Sequence, residues 1–189
     1  MDERKCLETW DVSIAPALFN KFPPVVRDVL RRIELPQIKV TSTYIWGGVG
    51  CGKTILAASL IVQACKHAYT NYEIWPSWFL IPVPELLFEF KQGYDSKVEG
   101  QRECDILEKY ASVDLLVLDD FGVEKSSEWA FQLLYILINR RYENNRLTVY
   151  TSNFPLDRLA QRMGDDRITS RIQGTSTIIE KTGNDYRAN

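Results

Sequence analysis

The sequence of 189 residues predicts an α/β fold built on a mostly parallel sheet of about five strands flanked by helices. Three observations lead to it. Predicted strands and helices alternate along the chain, and helical crossovers are how parallel strands are joined. Residues 115–118 are apolar throughout, as in a central strand buried on both faces. Residues 47–54 form a glycine-rich turn between a predicted strand and a predicted helix.

Each element has a local signal. Runs rich in β-branched, aromatic or apolar residues predict strands over residues 41–46, 78–83, 115–118, 147–151 and 177–180. Pro82 places the second strand on an edge of the sheet or marks its end, because proline cannot donate to a ladder. Segments without breakers, or led by proline or serine, predict helices over residues 55–65, 84–91, 102–110, 127–142 and 156–163. Ser126 or Ser127 is expected to cap the fourth helix, and Asn144 with Asn145 to end it.

The composition is typical of a soluble globular protein, with 45% hydrophobic and 25% charged residues. The net charge of -2 gives no global basic field, so any nucleic-acid binding must be local or shared among subunits. The four cysteines have no metal-ligand spacing, and one lies inside the glycine-rich turn, which favours a reducing compartment. Neither a signal peptide nor an apolar stretch of about 20 residues is visible, so we expect a cytoplasmic protein without a membrane partner.

The glycine-rich turn reads G-x-x-x-x-G-K-T, a phosphate-binding loop. Its glycines let backbone N–H groups cradle phosphate oxygens, Lys53 can reach the β- and γ-phosphates, and the Thr54 hydroxyl can hold Mg²⁺. A glycine turn that merely ends in Lys-Thr is the alternative, which the flanking strand and helix disfavour. The sequence therefore predicts a nucleoside triphosphate and Mg²⁺ as cofactors, and the resemblance described below implies that the nucleotide is ATP. The predicted cofactor-binding residues are Gly47, Gly48, Val49, Gly50, Cys51, Gly52, Lys53, Thr54 and Ile55.

Two acids follow the apolar strand at the edge where open α/β sheets bind their ligands. Asp119 is expected to be a Mg²⁺ partner together with Thr54. Asp120 is then placed to orient or deprotonate the attacking water. A solvated loop start is the alternative interpretation of both acids.

Polar residues after two later elements extend the candidate site. Asn153 follows the strand at residues 147–151 and can hydrogen-bond the γ-phosphate and the water, although a turn residue ahead of Pro155 is the alternative. Arg167 and Arg171 are four residues apart and therefore share one face of a helix. Either this is a solvated basic stripe, or one arginine reaches the γ-phosphate of a neighbouring subunit.

Together these motifs resemble the AAA+ ATPase domain, a P-loop NTPase core, of bacterial and phage replicative-helicase loaders of the DnaC/DnaI type, which include the transposition helper IstB. The resemblance covers roughly residues 40–187. The first two motifs are shared by many ATPases, and the asparagine strand and the paired arginines are what narrow the choice to this family. It implies that ATP lies between self-associated subunits, so that hydrolysis by an isolated monomer is weak. The implied roles are Walker A for Gly47, Gly50, Gly52, Lys53 and Thr54, Walker B for Asp119 and Asp120, sensor 1 for Asn153, a trans-acting arginine finger for Arg171 with Arg167 beside it, and a nucleotide sensor for Arg187.

The resemblance also implies a domain plan and partners. Residues 1–40 would be an N-terminal segment with one helix, too short for the usual helicase-gripping domain, and residues 41–189 the ATPase domain without a C-terminal lid. The partners would be a replicative hexameric DNA helicase and single-stranded DNA. DNA would contact the region between the first helix and the acidic strand, where aromatic and basic residues interleave, unless these are core aromatics beside solvated charges. The residues concerned are Phe88, Phe90, Lys91, Tyr94, Lys97, Arg102 and Lys109.

The predicted function is therefore an ATPase that loads or remodels a replicative helicase. An IstB-like transposition helper, with the same ATP site and another partner, is the main alternative. A P-loop kinase acting on a small molecule is disfavoured by the paired acids together with the asparagine strand. A module that holds ATP without turnover is disfavoured by Asp120.

Overall fold

The computed structural model describes residues 41–72, 76–94, 101–122 and 127–183. The predicted segment 1–40, Lys97 and Arg187 lie outside the described residues, as do the side chains of Tyr94 and Arg102. Contacts divide the chain into two compact units, of which one contains Thr54–Pro76 and the other contains Thr41–Lys53 and the residues from Ser77 onward.

The second unit contains a five-stranded sheet in the order β2-β3-β4-β1-β5, in which every neighbouring pair is parallel. This confirms the predicted parallel architecture. Pro82 is the last residue of an edge strand, so it satisfies both of the expectations drawn from it. The strands are β1 (Thr43–Trp46), β2 (Trp78–Pro82), β3 (Leu115–Asp119), β4 (Leu147–Ser152) and β5 (Thr177–Glu180).

All the helices predicted within the described residues are present, and their ends lie close to the predicted positions except that α1 runs seven residues beyond Cys65. Val83, predicted to end a strand, instead begins a helix, because the proline after it needs no amide partner in a first helical turn. Among the described residues, no helix combines the length and apolar character needed to span a bilayer. The helices are α1 (Lys53–Tyr72), α2 (Val83–Tyr94), α3 (Gln101–Ser112), α4 (Glu128–Glu143), α5 (Leu156–Met163) and α6 (Arg167–Thr175).

One hydrophobic core of the second unit lies between a face of the sheet and helices α2 to α6. Side chains of alternate strand residues point to the same face. Tyr44, Leu116, Leu118 and Tyr150 therefore meet in this core. All five residues of β3 are buried, which confirms the prediction of a strand covered on both faces. The helices contribute, among others, Leu86, Phe90, Tyr110, Leu134, Leu137, Leu159, Ile168 and Ile172.

Helix α4 has the ends that the sequence predicts. The Ala130 amide donates to the Ser127 hydroxyl oxygen at 3.1 Å, so Ser127 caps the helix; Ser126 lies outside the described residues. At the other end, the backbone and side-chain nitrogens of Asn144 donate to the Arg140 carbonyl at 3.1 and 2.7 Å. The next residue, Asn145, takes a left-handed conformation with φ of 51°.

At the amino end of the sheet, Arg141 of α4 is completely buried. Desolvation is the main cause that lowers its pKa to about 10, so it remains a cation at neutral pH. Its guanidinium donates only to neutral oxygens in the hydrogen bonds that hold it. These run from Nε to Thr148 Oγ1 (2.9 Å) and from the terminal nitrogens to the carbonyls of Tyr110 (2.9 Å), Ala111 (3.1 Å), Val113 (2.8 Å) and Leu147 (2.5 Å).

Candidate functional site

The sheet order brings three predicted parts of the site to one edge. The glycine-rich loop follows β1, Asp119 ends β3, and Asn153 follows β4. Since β4 lies between β1 and β3 and all three are parallel, their carboxyl ends are adjacent. This is the edge at which open α/β sheets bind ligands.

The inner side of the glycine-rich loop is tightly packed. Gly50 and Gly52 have φ of 73° and 89°, the left-handed region that favours glycine. The Gly47 amide donates to the Ser152 carbonyl at 3.2 Å. A β-carbon on Gly47 would lie 2.1 Å from the Lys181 carbonyl oxygen, so no other residue fits there without a backbone shift. The loop is therefore fixed between the ends of β4 and β5.

The outer side of the same loop is open. Among the described residues, and apart from the glycine itself and its two chain neighbours, no heavy atom lies within 4 Å of a β-carbon built on Gly48 or Gly52. Val49 at the loop tip is 63% exposed, whereas Cys51 is buried. A loop with a fixed inner side and open space outside has the form needed to admit phosphate groups close to its backbone.

Lys53 is 6% exposed, and three oxygens hold its ammonium group. Nζ donates to the carbonyls of Gly47 (3.1 Å) and Gly48 (2.8 Å) and to Asn153 Oδ1 (2.8 Å). All three acceptors are neutral, and a phosphate oxygen is a stronger acceptor for an ammonium group. The contact between Lys53 and Asn153 was not foreseen from the sequence, although both residues were placed in the site.

The two acids after the apolar strand have different surroundings. Asp119 is 6% exposed, whereas Asp120 is exposed and has φ of 55°, a left-handed value unusual for a residue other than glycine. The Phe121 amide donates to the Thr151 carbonyl at 2.7 Å, which ties the turn to the end of β4. A nearly buried carboxylate suits a metal ligand, and an exposed one can reach a water molecule.

A hydroxyl group that the sequence analysis did not single out connects these acids. Thr151 Oγ1 donates to Asp119 Oδ1 at 2.5 Å and accepts from the Asp120 amide at 3.0 Å. Thr151 lies one residue beyond the paired Leu118 and Tyr150, so only the register of β3 against β4 places it beside the acids. The signal available in the sequence was a pair of hydroxyl residues, Thr151 and Ser152, at the carboxyl end of this strand.

A second hydroxyl and a glycine complete the turn. Ser152 Oγ donates to the Phe121 carbonyl at 2.7 Å and accepts from the Phe154 amide at 3.2 Å. Gly122 has φ of 86°, and a β-carbon there would lie 2.4 Å from a Leu159 methyl carbon. The turn that carries the acids is therefore packed against α5.

The donor set fits Mg²⁺ bound together with a nucleotide. In the part of the chain that the structure describes, no group of three or more His, Cys, Asp or Glu side chains could hold a metal ion alone. Mg²⁺ usually binds one or two carboxylates, with phosphates and waters as the other ligands. Asp119 offers such a carboxylate, and Thr54 and Ile55 are the second and third residues of α1. Their shared role as ligand-binding residues stays a prediction.

The structure places Arg171 against helix α4. Its Nε donates to Asn139 Oδ1 at 2.8 Å, and its terminal nitrogens donate to the Tyr135 hydroxyl and the Arg167 carbonyl, each at 3.0 Å. Its guanidinium carbon lies 4.8 Å from the centre of the Tyr135 ring. Arg171 is thus half-buried and held by its own chain, and its role as an arginine finger stays a prediction.

Arg167 is exposed and differs from its neighbour on α6. It donates to both carboxylate oxygens of Asp165, at 3.1 and 2.8 Å, and this hydrogen bonding lowers the pKa of the Asp165 carboxyl. It also lies 4.8 Å from the centre of the Tyr135 ring, on which Arg171 stacks as well. Both guanidinium groups therefore lie over one aromatic ring, and whether either of them reaches a neighbouring subunit stays a prediction.

The predicted DNA-contacting region is only partly at the surface. Phe90 is 1% exposed and belongs to the core, so its prediction as a DNA contact is wrong and the core alternative applies to it. Lys109 forms an ion pair with Glu89 at 3.3 Å. Phe88 is 60% exposed, and the exposed Lys91 has its Nζ 5.6 Å from the centre of the Trp129 ring. Of the predicted residues, Phe88, Lys91 and Lys109 are exposed, and Phe88 and Lys91 lie close together in the chain on α2.

Known proteins are similar to this chain in sequence and fold. A family model described as IstB-like ATP binding protein matches residues 2–189. The crystal structure of DnaI is 27% identical, with a TM-score of 0.60, over 93% of this chain and 84% of that one. The DnaC helicase loader is 24% identical, with a TM-score of 0.61, over 93% and 96%. The replication initiator DnaA bound to AMPPCP and single-stranded DNA is 22% identical, with a TM-score of 0.58, over 85% of this chain and 45% of its own. The likenesses to DnaC and DnaA show the fold alone.

Proposed function

The chain belongs to the family of IstB-like ATP-binding proteins and has the AAA+ P-loop fold, and we propose on that premise that it is an ATPase that loads a replicative hexameric DNA helicase. The observation that carries the proposal is the contact of Lys53 with Asn153 at 2.8 Å, on the edge where Asp119 also ends its strand. A phosphate-binding cation, a polar amide and a carboxylate at one sheet edge are the groups that phosphoryl transfer from ATP requires.

Each group has a distinct role in this proposal. The loop residues 47–53 would bind the phosphates, and Lys53 would exchange its carbonyl partners for phosphate oxygens. Thr54 and Asp119 would hold Mg²⁺, which when bound neutralises charge that develops on the phosphates. Asp120, exposed directly after the carboxyl end of β3, would orient or deprotonate the attacking water. Asn153 would hydrogen-bond the γ-phosphate.

We further propose that subunits share the site. Arg171 would reach the ATP of a neighbouring subunit, after exchanging its contacts with Tyr135 and Asn139 for contacts with phosphate. These two acceptors and the Arg167 carbonyl, which also accepts from the guanidinium, are all uncharged, so a phosphate is the stronger acceptor. Hydrolysis by a dilute monomer is then expected to be weak.

The proposal of a helicase partner is supported by the 27% identity to DnaI over most of both chains. Contact with single-stranded DNA is proposed through Phe88 and Lys91, because a base can stack on an exposed ring beside a cation. The family name favours a second candidate, an IstB-like transposition helper with the same ATP site. Affinity capture with the whole chain distinguishes the two: recovery of a hexameric helicase supports the first, and recovery of a transposase supports the second.

Hydrolysis and the shared site can be tested together by mixing two variants. Asp120→Asn keeps the shape of the side chain and is expected to lower the ATPase rate by about 100-fold or more. Arg171→Ala is expected to lower it similarly, whereas Arg158→Ala, an exposed arginine on α5, keeps the wild-type rate. In the mixture, an intact site of the Arg171→Ala chain can receive Arg171 from the Asp120→Asn chain. Phosphate release should therefore recover partly in the mixture.

Three results would contradict these proposals. An unchanged rate in Asp120→Asn would remove that carboxylate from the mechanism. Failure of the mixture to recover would argue against a site shared through Arg171. A rate per molecule that does not rise with protein concentration would argue against self-association.

A further inference from the structure

We propose that Thr151 is a positioning residue for the paired acids, and that its hydroxyl sets the Mg²⁺-dependent part of nucleotide binding. The inference rests on the proposed function, since it concerns how the same site holds a metal–nucleotide complex. Thr151 is completely buried, so its hydroxyl interacts with the protein interior and not with solvent. Its single side-chain oxygen is hydrogen-bonded to both acids, to the Asp119 carboxylate and to the Asp120 amide.

The direction of the Thr151 proton follows from the partners of the oxygen. A threonine hydroxyl has one hydrogen to donate and lone pairs to accept with. The Asp120 amide can only donate, so it occupies a lone pair at 3.0 Å. An ionised Asp119 carboxylate can only accept, so the hydroxyl hydrogen must point to its Oδ1, 2.5 Å away. When Asp119 is ionised, the Thr151 hydroxyl hydrogen therefore has only one possible position, on the bond to Asp119.

Two consequences follow for the acids. The hydrogen bond to Oδ1 fixes the plane of the Asp119 carboxylate, which would otherwise rotate in a broad torsional well. The bond from the Asp120 amide helps to hold the left-handed backbone of that residue, at φ of 55°. Outer partners of this kind orient metal ligands, and their loss commonly costs 10- to 100-fold in metal affinity.

Ser152 provides a matched comparison on the same strand. Its hydroxyl is also completely buried and also braces the turn after β3, through the Phe121 carbonyl and the Phe154 amide. These partners are backbone groups of residues that carry no acid. Loss of the Ser152 hydroxyl should therefore weaken the turn without releasing the Asp119 carboxylate.

The test measures binding of the fluorescent nucleotide mant-ATP to the full chain, with and without Mg²⁺. Thr151→Val replaces the hydroxyl by a methyl group at nearly constant shape. It should retain the affinity measured without metal and lose about 10- to 100-fold of the affinity that Mg²⁺ adds. Thr151→Ser should keep that gain within about threefold, and Ser152→Ala should lower the melting temperature while keeping the gain. Electron paramagnetic resonance of Mn²⁺ with ATP gives a second readout and should show weaker Mn²⁺ binding by Thr151→Val alone.

The outcomes separate the inference from the proposed function. If wild-type protein does not bind mant-ATP, the proposed function fails and the inference fails with it. If wild type gains affinity with Mg²⁺ and Thr151→Val gains as much, only the inference is overturned. An equal loss in Ser152→Ala would also overturn it, since both hydroxyls would then act only by bracing the turn. Should Thr151→Val not fold, Thr151→Ala is measured against Ser152→Ala, and the same comparison decides.

Discussion

Two buried cations, one at each end of the sheet strands, have similar hydrogen-bond acceptors but different surroundings. Lys53 lies at the carboxyl ends of the strands and is 6% exposed, and Arg141 lies at the amino ends and is completely buried. In the hydrogen bonds that hold them, both donate to neutral oxygens. Burial of a cation among neutral oxygens therefore does not by itself separate the ligand-binding role proposed for Lys53 from the structural role of Arg141.

The two cations differ in which parts of the chain supply their hydrogen-bond acceptors. Two of the Lys53 acceptors are carbonyls of its own loop, which has an open outer side. The Arg141 acceptors come from the end of α3, the residue Val113 and the start of β4, elements that the guanidinium joins to α4. A compact ammonium on a flexible stem can change partners, whereas a planar guanidinium fork fits one fixed set. Arg141 is thus suited to hold the fold, and Lys53 to exchange its partners for a ligand.

The largest expected effect is the loss of the structural cation. Arg141→Met should destabilise the protein by about 3–5 kcal/mol, because several buried carbonyls lose their donor together. Arg141→Lys should recover only part of this, since one ammonium cannot reach acceptors on three elements. Unfolding in urea, followed by circular dichroism at neutral pH, measures both.

Arg140→Met is the matched control, because Arg140 is exposed on the same helical turn and forms a surface ion pair with Glu108 at 3.5 Å. Arg140→Met should change the free energy of unfolding by no more than about 0.5 kcal/mol. Equal losses in the free energy of unfolding for Arg140→Met and Arg141→Met would contradict the structural role given to Arg141.

The contrast between these cations also shows what the sequence can predict. Lys53 and its loop are recognisable because the chemistry needs adjacent residues in a fixed order. Arg141 stands in the last turn of a helix, where a cation is expected at the surface facing the helix dipole. Its burial depends on the end of α3, some 30 positions earlier in the chain, and no local pattern reports that contact.

The secondary-structure elements were predictable because they depend on local signals, whereas the contacts that were missed depend on tertiary structure. The strand at residues 115–118 and its parallel setting followed from apolar continuity and helical crossovers, both local signals. The Thr151 contact with Asp119 depends on the register between β3 and β4, and the burial of Phe90 depends on which face of α2 meets the sheet. Both are tertiary properties, which residue type alone does not fix.

The next largest effect concerns the exchangeable cation. Lys53→Met should weaken mant-ATP binding by about 10- to 100-fold, the equivalent of one or two charge-assisted hydrogen bonds. Its stability cost should be no more than about 1 kcal/mol, because two of the three acceptors it leaves, the Gly48 carbonyl and Asn153 Oδ1, are only partly buried and can accept from water. Lys109→Met, which removes a lysine paired with Glu89, is the control and should bind normally. A stability loss as large as that of Arg141→Met would show that Lys53 is a structural cation as well.

The smallest expected effect tests whether buried Arg141, at the amino ends of the strands, is stabilised by ion pairing instead of by its carbonyl acceptors. Asp114 favours the cationic form of Arg141 and accepts from the Arg146 guanidinium at 2.6 Å and from the Ser77 amide and hydroxyl, each at 2.8 Å. Desolvation raises the pKa of Asp114, but the hydrogen bonds from Ser77 and the charge of Arg146 outweigh it and lower the pKa below 3.8.

A lowered folded-state pKa means that the ionised Asp114 contributes stability above the unfolded value near 3.8 and loses it as the pH falls through the folded value. Asp114→Asn should therefore cost up to about 1 kcal/mol at pH 7, a small figure because the side chain is 47% exposed. The difference from wild type should shrink below pH 3.8 in urea titrations. A cost at pH 7 that equals that of Arg141→Met would instead mean that Arg141 is stabilised by its distant charge partner, and the comparison of the two edges would then rest on ion pairing.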